Sequence, residues 1–388
     1  MTDQKNTSPK ISIPETASLD PKRQEKAQQY ARIQRRFLLA DLGLGLLLLV
    51  LWLVLGWSTA LRDWIQTWTE NPWLAVAVYG AIFGGVFYLI DLPLSYYTGF
   101  ILPHRFEQSN QTLRGWIADQ GKSLLISLLI GGAILEVIYF VLRTAPDVWW
   151  LWTGVFLLVF NILLANLAPI LILPLFYQLN HLSEEHQDLE QRLLQLAHQA
   201  GTNVRGVFTF DLSQRTKSAN AALTGLGNTR RILLGDTLIS DFPPDEIETV
   251  LAHELGHHAH HDIPLGILVQ TLTTFGGLYL ASLVLQIGIR FLGFESAADL
   301  AALPLFGLAI GLYGLLTMPL GNAYSRWRER MADRFALDLT GKNTAYASAL
   351  TRLANQNLAE INPEPWVEFL LYSHPALGKR IQMAEEYK

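Results

Sequence analysis

Six long apolar blocks, separated by polar stretches, dominate the hydropathy pattern of this chain. A helix needs about 20 apolar residues to cross the roughly 30 Å hydrocarbon core of a bilayer, and each block is near or above that length. The pattern therefore predicts six membrane-spanning helices. They cover Phe37–Trp57, Trp73–Thr98, Leu124–Leu142, Trp149–Leu173, Ile263–Ile289 and Leu303–Leu320.

The polar stretches after the fourth and the sixth block predict a smaller part outside the bilayer. Apolar residues recur at helical spacing in some of these segments, and short β-branched or aromatic runs bounded by glycine occur in others. Two prolines and two acidic residues within Phe242–Glu246 suit the start of a helix. The other predicted elements are helices over Ser183–Ala200, Asn322–Leu339 and Ala345–Ala359, and strands over Val204–Phe210, Asn220–Leu223 and Arg231–Leu234, the last two around a Gly225–Asn228 turn.

Composition agrees with a polytopic membrane protein, since 50% of the residues are hydrophobic and only 16% are charged. The net charge of −5 provides no basic field for nucleic acid, so no nucleic-acid partner is expected. Cysteine is absent, which excludes disulfides, thiolate catalysis and cysteine metal ligands. Histidine, aspartate and glutamate are left as metal-binding residues.

The distribution of positive charge predicts the orientation. With a cytoplasmic N-terminus, the outside loops contain only Arg62, Arg143 and Arg290 of the 29 lysines and arginines, which is a strong positive-inside pattern. Both termini and the polar region between the fourth and fifth spans are then expected on the cytoplasmic side. The polar start of the chain, from Met1 to about Asp20, is expected to be disordered.

The sequence His253-Glu254-Leu255-Gly256-His257 stands in the predicted helix just before the fifth span. Residues four apart lie on one helix face, so both imidazoles can reach one Zn²⁺. Glu254, beside the first ligand, is then placed to take a proton from the attacking water. This spacing is typical of zinc peptidases.

A third protein ligand is needed to leave one coordination position for water and substrate. The best candidate is Glu329, which shares a helix face with Asp333 four residues later. One carboxylate can then bind the metal while the other orients a ligand imidazole. A surface helix with paired charges is the alternative on local grounds.

Four separated blocks of the chain resemble the type I CAAX prenyl protease family, which are intramembrane zinc metallopeptidases related to the HtpX quality-control proteases. The resemblance covers about residues 90–385. The blocks are Leu92–Tyr97 with His104–Phe106 and Asn110–Thr112; Lys217–Gly227 with Arg230–Ile232 and Asp236–Leu238; the zinc helix Leu251–Asp262; and Glu329 and Asp333 with Ser373-His374-Pro375.

The resemblance implies that Glu329 is the third ligand. It also implies that His374 contacts substrate and steadies the developing oxyanion, and that Asn220-Ala221 belong to an edge strand beside the extended substrate. Such a strand can bind a peptide through backbone hydrogen bonds. The eukaryotic enzymes have seven spans where six are counted here, so the chamber that they enclose is expected to be altered.

Arg380 follows His374 by six residues, and its guanidinium has two candidate partners. One is an acidic side chain of the protein. The other is the C-terminal carboxylate of a substrate, which would suit a protease that removes a short C-terminal peptide. On the second interpretation Arg380 is a substrate-binding residue.

Together these observations predict a mainly α, polytopic membrane protein with a gluzincin-type zinc metalloprotease domain that carries a small β-sheet. It is expected to bind one Zn²⁺ per chain and to cleave membrane-associated or lipid-modified polypeptides at the bilayer, including prenylated or membrane-embedded ones. CAAX-type C-terminal processing is the leading interpretation, as the family resemblance implies. The alternatives are an HtpX-like quality-control protease and a non-catalytic membrane scaffold or transporter. The predicted regions are a polar N-terminus (1–36), four spans (37–176), a protease region (177–262), two spans (263–320) and a C-terminal protease region (321–388).

Overall fold

The computed structural model describes residues 16–225 and 230–388. Its first half consists of long helices with many exposed leucine, valine and tryptophan side chains, as expected of surfaces that face lipid. A π-helical turn, Tyr97–Ile101, joins the third helix to the fourth. The helices are α1 (Pro21–Val54), α2 (Trp57–Gln66), α3 (Pro72–Tyr96), α4 (Leu102–Arg105), α5 (Leu113–Thr144), α6 (Trp149–Leu171) and α7 (Leu173–Phe176).

The second half surrounds the candidate site and contains two more long apolar helices, α11 and α12. Its elements are β1 (Leu179–His181), α8 (Gln187–Gln199), β2 (Val207–Phe210), β3 (Ala221–Thr224), β4 (Arg231–Gly235), α9 (Asp236–Asp241), α10 (Pro244–Ala259), α11 (Asp262–Leu292), α12 (Leu303–Thr340), α13 (Asn343–Gln356), α14 (Pro365–Leu371) and α15 (Leu377–Glu386). Short 3₁₀ turns occupy Glu184–His186, Leu212–Gln214 and Leu300–Ala302.

The prediction of six spans is confirmed for the described residues. Six helical segments are long and apolar enough to cross a bilayer: α1, α3 with its continuation to Arg105, α5, α6 with its continuation to Phe176, α11, and α12 with the turn before it. Local sequence explains several of their starts. The side chains of Asp20 and Asn71 accept hydrogen bonds from the first backbone N–H groups of α1 and α3, and a proline follows each.

The four strands form one small sheet in the order β1-β2-β4-β3. Strands β2 and β4 are parallel, whereas β3 pairs with β4 in antiparallel register, with Ala221 opposite Leu234 and Thr224 opposite Arg231. Strand β3 therefore lies at an edge of the sheet. Helix α10 packs beside it, which brings the zinc motif next to that edge.

The two larger of four hydrophobic clusters among the described residues form the main cores. One lies between α8, the sheet, α10, the end of α12 and α13, with Leu193, Ile232 and Leu251 fully buried. The other lies among the spanning helices and includes Tyr79 and Trp149. Helix α12 connects the two cores, because it runs from the spanning helices to the core around the sheet.

The structure differs from the sequence prediction in the length of two helices. The sixth span and the predicted helix Asn322–Leu339 are one continuous helix of 38 residues, α12, in which Pro319 is accommodated without a break. Helix α1 begins at Pro21, well before the predicted span, because its polar turns are bonded to the segment after α13. Most of the segment Met1–Asp20 and most of the Gly225–Asn228 turn lie outside the described residues.

Candidate active site

Helix α10 presents its two motif histidines side by side on one face. The Nε2 atoms of His253 and His257 are 3.2 Å apart, and the rings are nearly perpendicular, with centroids separated by 4.8 Å. The helix starts with Pro244, and its first turn contains Asp245 and Glu246, which suit the positive end of a helix dipole. Sequence spacing and helix geometry thus converge two nitrogen donors on one point.

Glu329 reaches the same point from α12, which crosses α10 at close range. A Cβ atom at Gly256 would come within 2.9 Å of the Ala332 Cα atom, so only glycine allows the two backbones to approach this closely. The carboxylate of Glu329 consequently lies 3.3 Å from the Nε2 atoms of both histidines, one through each oxygen. Gly256, one of the three residues between the two histidines, therefore sets how closely α10 and α12 approach each other.

This donor set fits a tetrahedral metal ion. Ligands about 2.0–2.1 Å from Zn²⁺ in tetrahedral geometry are separated from each other by roughly 3.3 Å. The two Nε2 atoms are 3.2 Å apart, and each lies 3.3 Å from a different oxygen of Glu329, His253 from Oε2 and His257 from Oε1. With one donor atom taken from each residue, the three atoms lie within 4.8 Å of one another. In addition, Oε2 of Glu329 is buried, with Nε2 of His253 at 3.3 Å and Nη1 of Arg380 at 3.8 Å as its neighbours. A buried carboxylate whose two oxygens each face an imidazole nitrogen is an environment that a bound cation satisfies.

His253 is held by a cluster that we call the buried arm: Arg380, Asp333, Tyr346 and His253. Asp333, fully buried, lies 2.9 Å from Nδ1 of His253. Arg380 donates two hydrogen bonds to this carboxylate at 2.6 and 3.0 Å, and the Tyr346 hydroxyl donates a third at 2.5 Å. Although burial lowers the pKa of His253, hydrogen bonds with Asp333 and Glu329 outweigh it and raise the pKa to about 9.

His257 is held by a second cluster, which we call the membrane arm: Arg328, Asp262 and His257. Asp262 is the first residue of the spanning helix α11, and its carboxylate lies 2.7 Å from Nδ1 of His257. Arg328, on α12, donates to Asp262 and to the His260 carbonyl. His261 adopts a left-handed conformation with φ 57°, which allows α11 to begin directly after α10 and turns Asp262 back toward His257.

In both arms a carboxylate accepts the Nδ1 proton of the histidine and leaves Nε2 as a metal donor. The two arms are therefore chemically alike. They differ in environment, because the Asp333 side chain is fully buried, whereas that of Asp262 retains 14% of its exposure at the start of a span.

A cavity of about 670 Å³ opens in front of the donor set. Glu254 and His374 line it, and Nε2 of His374 lies 3.3 Å from Oε1 of Glu329. The segment before His374 is fixed by Arg326, which donates to the Glu368 and Tyr372 carbonyls at 2.9 and 2.6 Å. The general-base candidate and the predicted oxyanion donor therefore face one space with His253, the metal donor that lines the cavity.

Asn220 and Ala221 line the same cavity, at the free edge of the sheet. Of the two candidate partners of Arg380, the structure contains the acidic one. Its guanidinium donates to the buried Asp333 and also lines the cavity. The contact with Asp333 supports a role in holding His253, and the substrate-binding role stays a prediction.

Sequence reasoning missed four contributors to the site: Asp262, Arg328, Tyr346 and Gly256. Asp262 and Gly256 carried a local signal, since the first follows His257 closely and the second lies inside the motif. Arg328 was visible only as a charge next to Glu329. Tyr346 had no signal, because its contact with Asp333 depends on how α13 packs on α12.

Two family models match the chain and together cover most of it. Residues 4–178 match the N-terminal domain of CAAX prenyl proteases, described as five membrane helices, and residues 183–388 match peptidase family M48. In the described part of that first range, four helical segments are long enough to span a bilayer, and the short amphipathic α2 is a further helix.

Individual relatives point in the same direction. The chain is 33% identical to CAAX prenyl protease 1 of Saccharomyces cerevisiae over 76% of its own length and 68% of the relative's. It is 28% identical to the metalloprotease YhfN of Bacillus subtilis, with 93% and 85% of the two chains covered. The crystal structure of S. mikatae Ste24p superposes with a TM-score of 0.85 at 26% identity, covering 99% of this chain and 93% of that one.

Proposed function

This chain belongs to peptidase family M48 and is an integral multi-pass membrane metalloprotease, and we propose that it removes short C-terminal peptides from prenylated polypeptides at the membrane. One Zn²⁺ per chain would be held by His253, His257 and Glu329. The observation that carries this proposal is the convergence of these three donors at 3.2–3.3 Å beside a cavity that Glu254 lines.

The residues of the chain have separate roles in the proposed reaction. When bound, Zn²⁺ supplies a Lewis acid that polarises the scissile carbonyl and acidifies water. Glu254 accepts the proton of the attacking water and returns it to the leaving amine. His374 donates a hydrogen bond to the developing oxyanion, a contribution that is typically worth about 10²–10³ in rate.

The arms keep the histidines in the reactive tautomer. Asp333 and Asp262 accept the Nδ1 protons, so both Nε2 lone pairs face the metal position. Since Arg380 and Arg328 neutralise these carboxylates, the arms add little net charge to the site. The single carboxylate that remains beside the metal donors is Glu329.

The substrate class rests on the relatives and on the membrane setting. The relatives named CAAX prenyl protease 1 support C-terminal processing over the quality-control alternative. The positive-inside pattern supports a site and both termini on the cytoplasmic side, where prenylated proteins are found. The intact donor set argues against a non-catalytic scaffold.

The test uses full-length protein in detergent with zinc, beside its Glu254→Gln variant. Each is given a farnesylated CAAX peptide and the same peptide without the lipid, and cleavage is followed by mass spectrometry. We expect cleavage of the lipidated peptide by the wild type, and zinc retention without turnover in Glu254→Gln. Equal cleavage of both peptides would contradict the prenyl preference, and cleavage by Glu254→Gln at the wild-type rate would contradict the mechanism.

A further inference from the structure

The free edge of the sheet, formed by strand β3, ends at the side chain of Asn357. Asn357, just after α13, accepts a hydrogen bond from the Ala219 N–H at 2.8 Å and donates one to the Ala219 carbonyl at 3.1 Å. Exchange of both backbone bonds with one residue is what a neighbouring antiparallel strand provides. The Asn357 amide thus occupies the position of a strand beside Ala219.

The register shows which backbone groups remain open. The Asn220 carbonyl accepts from the Gly235 N–H on the β4 side. Since alternate residues of a strand direct their backbone groups to opposite sides, Asn220, Ala222 and Thr224 pair with β4. Ala219, Ala221 and Leu223 then face the open edge. The first outward pair beyond Asn357 belongs to Ala221, which lines the cavity with His253 and Glu254.

The two ends of β3 lie in different surroundings. At the Ala219 end, the cavity is walled by Asn357, Leu358, Tyr30 and Gln34, the last two from the polar turns of α1. This wall is fixed, because Gln24 of α1 exchanges hydrogen bonds with the Ala359 carbonyl and the Ile361 N–H.

At the other end, Thr224 shares a small cavity with Pro169 and Ile170 of the spanning helix α6. One end of the edge therefore meets the membrane part, and the other meets a wall.

We propose that Asn357 is a specificity-determining residue that ends the substrate-binding edge and limits how many residues a substrate carries after its scissile bond. This inference rests on the proposed function. A peptide antiparallel to β3 runs from the Thr224 end toward Ala219, so its membrane-anchored part lies near α6 and its C-terminus meets Asn357. Chains with longer C-terminal segments collide with the wall.

The first test measures cleavage of peptides with a common N-terminal part and C-terminal segments of increasing length. We expect KM of the wild type to rise about tenfold or more once the C-terminal segment is too long to fit between the scissile bond and Asn357. The additional residues then have no space in the cavity. Asn357→Ala should reduce that penalty to about threefold or less, measured as the ratio of KM for long and short peptides of the same variant. Zinc content and the thermal midpoint establish that the variant is folded.

Gln356→Ala is the matched control. Gln356 donates to the Lys217 carbonyl at 2.9 Å, the same kind of amide-to-backbone bond, but it lies outside the cavity. Its length profile should equal that of the wild type. A folded, active Asn357→Ala protein with the wild-type length profile would overturn the inference.

The second test uses charge and does not depend on the alanine variant. Asn357→Asp keeps the acceptor for the Ala219 N–H, removes the donor to the Ala219 carbonyl and adds a negative charge where the substrate C-terminus is expected. KM should rise about tenfold for peptides with a free C-terminal carboxylate and change little for the same peptides with a C-terminal amide. Equal effects on acid and amide would overturn the inference. Absence of Glu254-dependent cleavage by the wild type would overturn the proposed function itself.

Discussion

His253 and His257 lie one turn apart on α10, and each has a carboxylate at Nδ1 that an arginine holds in place. In the buried arm, Asp333 and Arg380 are enclosed by α13 and α15, and every charge is neutralised by a protein partner. In the membrane arm, Asp262 begins a spanning helix and retains contact with solvent.

The comparison teaches that the same ligand chemistry has different costs in different surroundings. The two arginines are buried to a similar extent, with 10% exposure for Arg380 and 8% for Arg328, and the arms differ at the carboxylates. Water cannot replace a lost partner of the fully buried Asp333, whereas it can reach Asp262, which retains 14% of its exposure. We therefore expect substitutions of the two histidine ligands to have equal effects on zinc binding. Substitutions of the carboxylates at their Nδ1 atoms should have unequal effects.

The largest expected effect is common to both arms. His253→Ala and His257→Ala should each lower bound zinc from about one per chain to near zero and reduce turnover by about 10³ or more, because both supply a metal donor. Zinc is measured by elemental analysis beside His258→Ala, a control on the same helix. Zinc retention in either ligand variant would show that the arms do not converge on one ion.

The next effect should separate the arms. Asp333→Asn and Asp262→Asn both remove the Nδ1 acceptor charge, which typically costs 10–100-fold in metal affinity. We expect Asp333→Asn to lower zinc affinity by about 100-fold and to lower the thermal midpoint, because the fully buried Asp333 accepts hydrogen bonds from Arg380 and Tyr346 that water cannot replace. Asp262→Asn should lower zinc affinity by only about tenfold and leave the thermal midpoint almost unchanged. Competition with a zinc chelator and thermal unfolding give the two values, and equal midpoints would refute the contrast.

A smaller effect on activity should arise where α10 crosses α12, because both arms depend on this contact. Gly256→Ala places a methyl group against the Ala332 backbone and pushes α12, with Glu329, away from both histidines. Overpacking of this kind costs about 1–3 kcal/mol, and we expect about a tenfold loss of activity. Gly266→Ala on α11 is the control, since nothing lies within 4 Å of the position that its new methyl group would occupy. A Gly256→Ala variant as active as the wild type would mean that α10 and α12 accommodate the methyl group without moving Glu329.

The smallest effect should be confined to the buried arm. Tyr346→Phe removes one hydrogen bond to Asp333 but leaves Arg380 and His253 in place. A buried hydrogen bond contributes about 1 kcal/mol, so zinc affinity should fall only about fivefold. Tyr387→Phe, which loses a bond to the exposed Asp338, serves as the comparison. A loss as large as that of Asp333→Asn would assign Tyr346 a greater part in the arm.

The sequence predicted those parts of the site that depend on spacing along one helix. His253 and His257 share a face, and Glu329 and Asp333 do likewise, because helical periodicity is local. The six spans were predictable for a similar reason, since their length and apolar composition are properties of contiguous residues.

The parts that depend on contacts between distant elements were not predictable. The partner of Arg380 required the packing of α15 against α12, and the Asn357–Ala219 pair required the end of α13 to meet β3. Helix α12 was predicted as two pieces because its polarity changes near Leu320, yet tertiary contacts on both sides keep it continuous.

The continuity of α12 has a consequence for how the protein is made. During synthesis His253 and His257 emerge first, and Glu329 follows only after both α11 and the apolar half of α12 have been translated. Because Glu329 is rigidly joined to the final span, the third donor reaches the histidines only when that hairpin has been inserted and has folded back. Completion of the metal site is thereby tied to completion of membrane insertion, and a nascent chain has no assembled protease with which to cut its neighbours.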